Sequence, residues 1–265
     1  LLTESGARWR AAWAPLPPEL AGTENAQVDQ IACARRRAFA ASCAATGSDF
    51  LAGGGVEALL YDLSGSKLRV SLAAPATGPE GGASVPDDLS CAERCLAVGS
   101  YTAPMGRSEA AAWVREPVGD TERWSPALLP LASPGNVAGA SKRAVSGSSA
   151  LSGVSCIRPG ICVAVGSVEP AGGGSRALAE TWSTGRWSEV SALVPRVAAS
   201  SGSLLDEVSC APGAASRRRR AAPGAAGEPE TGRSVQAYCA AVGYEPTTAG
   251  DLVGVLLAGR LPLSP

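Results

Sequence analysis

The feature that most constrains this chain is an internal repeat marked by pairs of cysteines. Four times a cysteine opens a run of small or apolar residues that ends in glycine: Cys43 to Gly47, Cys95 to Gly99, Cys162 to Gly166 and Cys239 to Gly243. Each of these cysteines is preceded by another that closes an apolar stretch, at Ile31 to Cys33, Leu89 to Cys91, Val154 to Cys156 and Val208 to Cys210. Self-similarity of this kind is the signature of a repeat architecture.

After each glycine comes a polar turn and a third apolar stretch, at Ala58 to Tyr61, Ala110 to Val114, Ala177 to Trp182 and Leu252 to Leu257. A fourth stretch then begins at Leu68, Trp124, Trp187 and, weakly, Leu261. The N-terminal Leu1 to Glu4 and Arg8 to Ala11 read as the third and fourth stretches of an earlier copy. Each repeat thus offers four strands of about four to six residues bounded by turn residues. Gly and Pro interrupt most windows long enough for a helix. Ala34 to Ala45 is rich enough in Ala to be misread as one, but a run of three arginines and Cys43 sit inside it.

A four-stranded unit recurring every ~50–65 residues predicts an all-β chain, a β-propeller of four-stranded blades. One blade cannot bury both faces, so blades must stack. The expected organisation is one domain over residues 1–265. A partial repeat covers 1–20, and full repeats cover about 28–75, 88–130, 153–195 and 207–263. Trp9, Trp113, Trp124, Trp182 and Trp187 are expected to fill the gaps between blades. The half repeat either belongs to a blade completed from beyond the chain or pairs onto the last blade and closes the ring.

The cysteines are expected to pair within repeats: Cys33 with Cys43, Cys91 with Cys95, Cys156 with Cys162, and Cys210 with Cys239. Each pair ends one strand and begins the next, so its members face each other across a hairpin. Opposed residues there lie about 4.5 to 5.5 Å apart, within disulfide range. An even count used this way points to an oxidising compartment, extracellular or at the cell surface. The spacings are too irregular for a zinc ribbon.

The chain has no histidine, which removes the usual general base and the commonest metal ligand. Ser-His-Asp and Cys-His catalysis as normally built are excluded, and a catalytic zinc site is disfavoured. A net charge of -1 offers no general field for nucleic acid or anionic membrane. The longest strongly apolar run, near Leu252 to Ala258, is far short of the ~20 residues of a membrane helix. The chain opens on Leu1 and reads as a processed product or a fragment. No cofactor or metal is expected. Residues 76–87, 131–150 and 211–236 have the composition of flexible insertions. The last carries Arg217 to Arg220, read as a solvated loop open to proteolysis.

The copy running through Val154 to Cys156, Cys162 to Gly166, Leu178 to Trp182 and Arg186 to Ser188 resembles actinobacterial repeat proteins with the pattern V-S-C…C-x-A-V-G…L-x-E-x-W…G-x-x-W-S. The resemblance implies a secreted or surface β-propeller and carries over no catalytic residues. The functional expectation is therefore a binding or interaction scaffold with a protein or glycan ligand on a loop face. The turns after the motif glycines supply the candidate ligand-binding residues Asp49, Tyr101, Glu169, Tyr244 and Glu245. The alternatives are a sialidase-like glycosidase and a lectin-like carbohydrate binder, calcium-stabilised through acidic turns such as Asp87-Asp88. No D-x-D-x-D-G loop is present, and the S-x-D-x-G-x-x-W turn is absent.

Overall fold

In the computed structural model the described residues form antiparallel β-sheets, with a short 3-10 turn at Pro18–Leu20. The structure describes residues 2–5, 8–11, 14–23, 25–34, 42–52, 55–64, 67–73, 82–103, 106–118, 121–127, 129, 147–170, 173–190, 202–213, 235–247 and 249–263.

The first two strands, β1 (Leu2–Ser5) and β2 (Arg8–Ala11), pair only with each other. Sheet I follows as β3 (Ala26–Ala34), β4 (Ser42–Phe50), β5 (Val56–Ser64) and β6 (Lys67–Leu72). Sheet II is β7 (Ser84–Cys91), β8 (Cys95–Thr102), β9 (Ser108–Val118) and β10 (Thr121–Pro126). Sheet III is β11 (Ser148–Arg158), β12 (Ile161–Glu169), β13 (Arg176–Ser183) and β14 (Arg186–Glu189). Sheet IV has three strands, β15 (Leu204–Pro212), β16 (Val235–Pro246) and β17 (Leu252–Leu263). Every sheet is a meander in which neighbours in sequence are neighbours in space.

The repeat register is the one the cysteines mark. Cys33, Cys91, Cys156 and Cys210 sit directly opposite Cys43, Cys95, Cys162 and Cys239, and all four bridges form. Their Cα atoms are 3.9 to 4.1 Å apart, nearer than the 4.5 Å expected. The Cys156 and Cys210 N–H groups turn away from their own sheets, which makes these the closely spaced, non-hydrogen-bonded kind of antiparallel pair.

The motif glycine has a specific cause. Opposite it, each first strand carries a β-bulge, at Asp29, Asp87, Ser152 and Asp206. The bulge drives a carbonyl of the first strand towards the second. A Cβ on Gly99 would lie 2.0 Å from the Val85 oxygen, and one on Gly166 2.1 Å from that of Ala150. Only a residue without a side chain fits there.

The sheets pack face to face in chain order, each burying an alternating apolar face. Leu60 of sheet I meets Leu89, Trp113 and Trp124 of sheet II. Val98 and Val114 of sheet II meet Val154, Leu178 and Trp187 of sheet III. Val163 and Val165 of sheet III meet Leu205, Val208 and Leu261 of sheet IV. Trp182 lies beside this second boundary, its ring 5.1 Å from that of Trp187. On the opposite side of sheet I, Leu16 and Leu20 cover Leu59 and Tyr61.

Several expectations are corrected. Strands run to twelve residues, in β16 and β17, because both extend well beyond their apolar kernels. Leu261 lies inside β17, opposite Ala237, and does not open a fourth strand. The half repeat does form two paired strands but is not added to sheet IV. Residues 84–87, 148–150, 211–212 and 235–236 of the expected insertions are strand. The rest of those insertions, apart from residues 82, 83, 147 and 213, lies outside the described residues, as does the side chain of Trp9. Asp87 and Asp88 stand in a bulged strand, not in a turn.

Candidate functional site

The five residues expected to bind ligand lie at one end of the second strands, but in strand and not in turn. Each second strand continues past its glycine, to Phe50, Thr102, Glu169 and Pro246. Side chains there alternate between faces. Asp49, Tyr101 and Glu245, two residues after the glycine, share its face, whereas Tyr244 and Glu169 point to the other. The five therefore belong to four sheets and two kinds of face.

Their surroundings differ as well. Asp49 is fully buried, and neither carboxylate oxygen has a hydrogen bond among the described residues. Tyr101 is buried in the boundary between sheets I and II, its hydroxyl on Glu109. Glu169 is exposed, and Tyr244 and Glu245 are half-buried. Glu169, Tyr244 and Glu245 are the members a ligand reaches from outside.

A second grouping comes from the bulges. Because each bulge adds a residue at the same point of the repeat, it places Asp29, Asp87, Ser152 and Asp206 at equivalent positions. The following residues are Gln30, Asp88, Gly153 and Glu207. Five of these eight positions are acidic, and none is Lys or Arg. The carboxyl of Asp87 is pushed up to about 6, first by lost hydration, then by Asp29 and Asp88. Solvent reaches its side chain, yet the neighbouring first strands limit how well water can hydrate the charge. Lost hydration also raises Asp88, against hydrogen bonds donated by the Val154 and Leu89 N–H groups. Glu207 is raised by lost hydration and then by Asp88. The acids thus sense one another across sheets I, II and IV.

Such a rim attracts cations and repels acidic sugars. Among the described residues, no three Asp, Glu or Cys side chains converge as a set of metal ligands. In the sequence the pattern is a set of acids three or four residues before three of the four first cysteines, Cys33, Cys91 and Cys210. Alternation alone does not reveal it, because alternation does not reveal a bulge.

A buried charge cluster lies elsewhere. Arg115 of sheet II pairs with Asp62 of sheet I and Glu122 of its own sheet, and donates to Ser42 Oγ at 2.8 Å. It joins two sheets and is closed to ligand, with its side chain 2% exposed.

No protein-family model and no curated protein matches this chain. Among the described residues no helix is long and apolar enough to cross a membrane.

Proposed function

We propose that the chain is most of an extracellular or cell-surface β-propeller, with the sheets as blades, acting as a binding scaffold. One observation carries the reading: the same disulfide-stapled sheet recurs in one register and stacks in chain order, while the side chains at equivalent positions vary. A constant frame with variable positions suits recognition. The bridges suit an oxidising compartment, and the resemblance to actinobacterial surface repeats agrees with both. The ligand, protein or glycan, meets the second-strand ends around Glu169, Tyr244 and Glu245.

The test is a glycan array run beside a panel of fluorogenic glycosides. The reading expects no turnover, and any captured glycan to be lost from Glu169→Ala or Tyr244→Ala. Array silence leaves a protein ligand. Hydrolysis abolished by Glu169→Gln or Glu245→Gln would replace the scaffold with a glycosidase.

A further inference from the structure

The boundaries between sheets follow a shared pattern. At the second boundary, the Cys156 N–H donates to Ser90 Oγ at 2.9 Å. At the third, the Cys210 N–H donates to Ser155 Oγ, again at 2.9 Å. In each case the serine before one sheet's first cysteine receives the first cysteine of the next sheet. The first boundary keeps the geometry with alanine in place of serine. Cys91 Sγ lies 3.6 Å from the Ala32 oxygen, as Cys156 Sγ lies 3.6 Å from that of Ser90. Each sheet thus has a front, which meets its predecessor, and a rear, which meets its successor.

Two such faces are bare. On the front of sheet I, Ile31 is 57% exposed, whereas its counterparts Leu89, Val154 and Val208 are 6%, 4% and 3% exposed. Val28 beside it is also exposed, although Leu151 and Leu205 are buried at the same position. On the rear of sheet IV, Val242 is 43% exposed, whereas Val98 and Val165 are fully buried. Leu256, directly opposite Val242, is 70% exposed, and Tyr238 and Leu252 extend the patch. Ser209, the counterpart of Ser90 and Ser155, is exposed too.

We propose that the rear of sheet IV docks head-to-tail onto the front of sheet I of a second copy of this chain. The occupant follows from continuity with the internal boundaries. The rear of sheet IV carries the serine and the apolar pair that sheets II and III present to their successors, and the front of sheet I carries the same kind of first strand that their successors bring. Within one chain the two faces leave each other bare. Leu16 and Leu20 already cover the outer half of the front of sheet I, so the new boundary lies over its first two strands. At the new boundary Ser209 Oγ accepts the partner copy's Cys33 N–H, while Val242 and Leu256 cover Ile31 and Val28. The contact is heterologous, so it builds rings or chains and not a two-fold dimer.

The test is sedimentation velocity of the intact chain over a wide range of concentration, with Ile31→Glu, Leu256→Glu and their equimolar mixture. Both side chains are exposed, so thermal unfolding of each variant stays near that of the parent. The parent is expected to form species larger than monomer as concentration rises. Each variant alone is expected to be monomeric. The mixture is expected to give a dimer and nothing larger, because Ile31→Glu keeps a sound rear face and Leu256→Glu a sound front face. A parent that stays monomeric at every concentration overturns the proposal. So does an Ile31→Glu variant that still self-associates, which would indicate rear-to-rear pairing, or a mixture that stays monomeric. None of these results bears on whether the chain binds glycans.

Discussion

Arg115 Nε lies 2.5 Å from Asp62 Oδ1, an ion pair across the boundary between sheets I and II. Burial raises the Asp62 carboxyl, and the facing Arg115 only partly offsets it. The arginine is thus the shared cation of two largely buried acids, Asp62 and Glu122.

Removing that arginine should be costly. Arg115→Met leaves buried carboxylates without their cation, a change that typically costs about 3–5 kcal/mol. Urea unfolding of the variant should show a correspondingly lower midpoint. The loss should shrink at low pH, where Asp62, its carboxyl raised by burial, becomes neutral.

Thr46 offers the opposite change. It is fully buried at the position that Val98 and Val165 occupy in the next two sheets. Its hydroxyl has no hydrogen bond among the described residues. Thr46→Val should raise stability by about 1 kcal/mol, by removing a desolvated polar atom without changing shape. Chemical denaturation checks it, and a destabilised variant would mean that the hydroxyl has a partner.

The motif glycine should not tolerate even one methyl group. In Gly99→Ala the new Cβ meets the Val85 carbonyl, which belongs to backbone and cannot rotate aside. A loss of about 1–3 kcal/mol is expected. Gly106→Ala makes a useful contrast, because its Cβ meets nothing and its cost comes only from its positive φ.

Stability should fall as pH rises from about 4 to about 6. Asp87 keeps its proton up to about 6 in the folded chain, above its ordinary value of 3.8. The folded state therefore binds more protons in that window, and the slope of stability against pH is negative. Asp62, Asp88 and Glu207 are shifted the same way. Unfolding midpoints across this range provide the measurement. Asp87→Asn should flatten the slope and leave the protein more stable at pH 7.

Much of this architecture could be read from the cysteines. A bridge across a hairpin sets which residues face each other, so four pairs gave the register of four sheets. The glycine after each second cysteine was visible as a motif, but its cause, a bulge on the facing strand, was not. A bulge changes the count of residues on one strand without changing their composition. The same blind spot hid the acidic grouping of Asp29, Asp87 and Asp206. By sequence Glu169 and Tyr244 read as turn residues because a glycine usually ends a strand, whereas here it serves the strand's interior. Leu261 reads as the start of a new strand only by analogy with the other repeats, whereas β17 runs unbroken through it. The bare faces of sheets I and IV depend on which neighbours exist, and local sequence does not encode that.

The most direct test of the repeat register is peptide mass spectrometry on unreduced protein, with thiols blocked at collection. The account predicts four bridges, Cys33–Cys43, Cys91–Cys95, Cys156–Cys162 and Cys210–Cys239, and no free thiol. A bridge joining two sheets, or a free cysteine in any pair, would contradict the register and the stacking built on it.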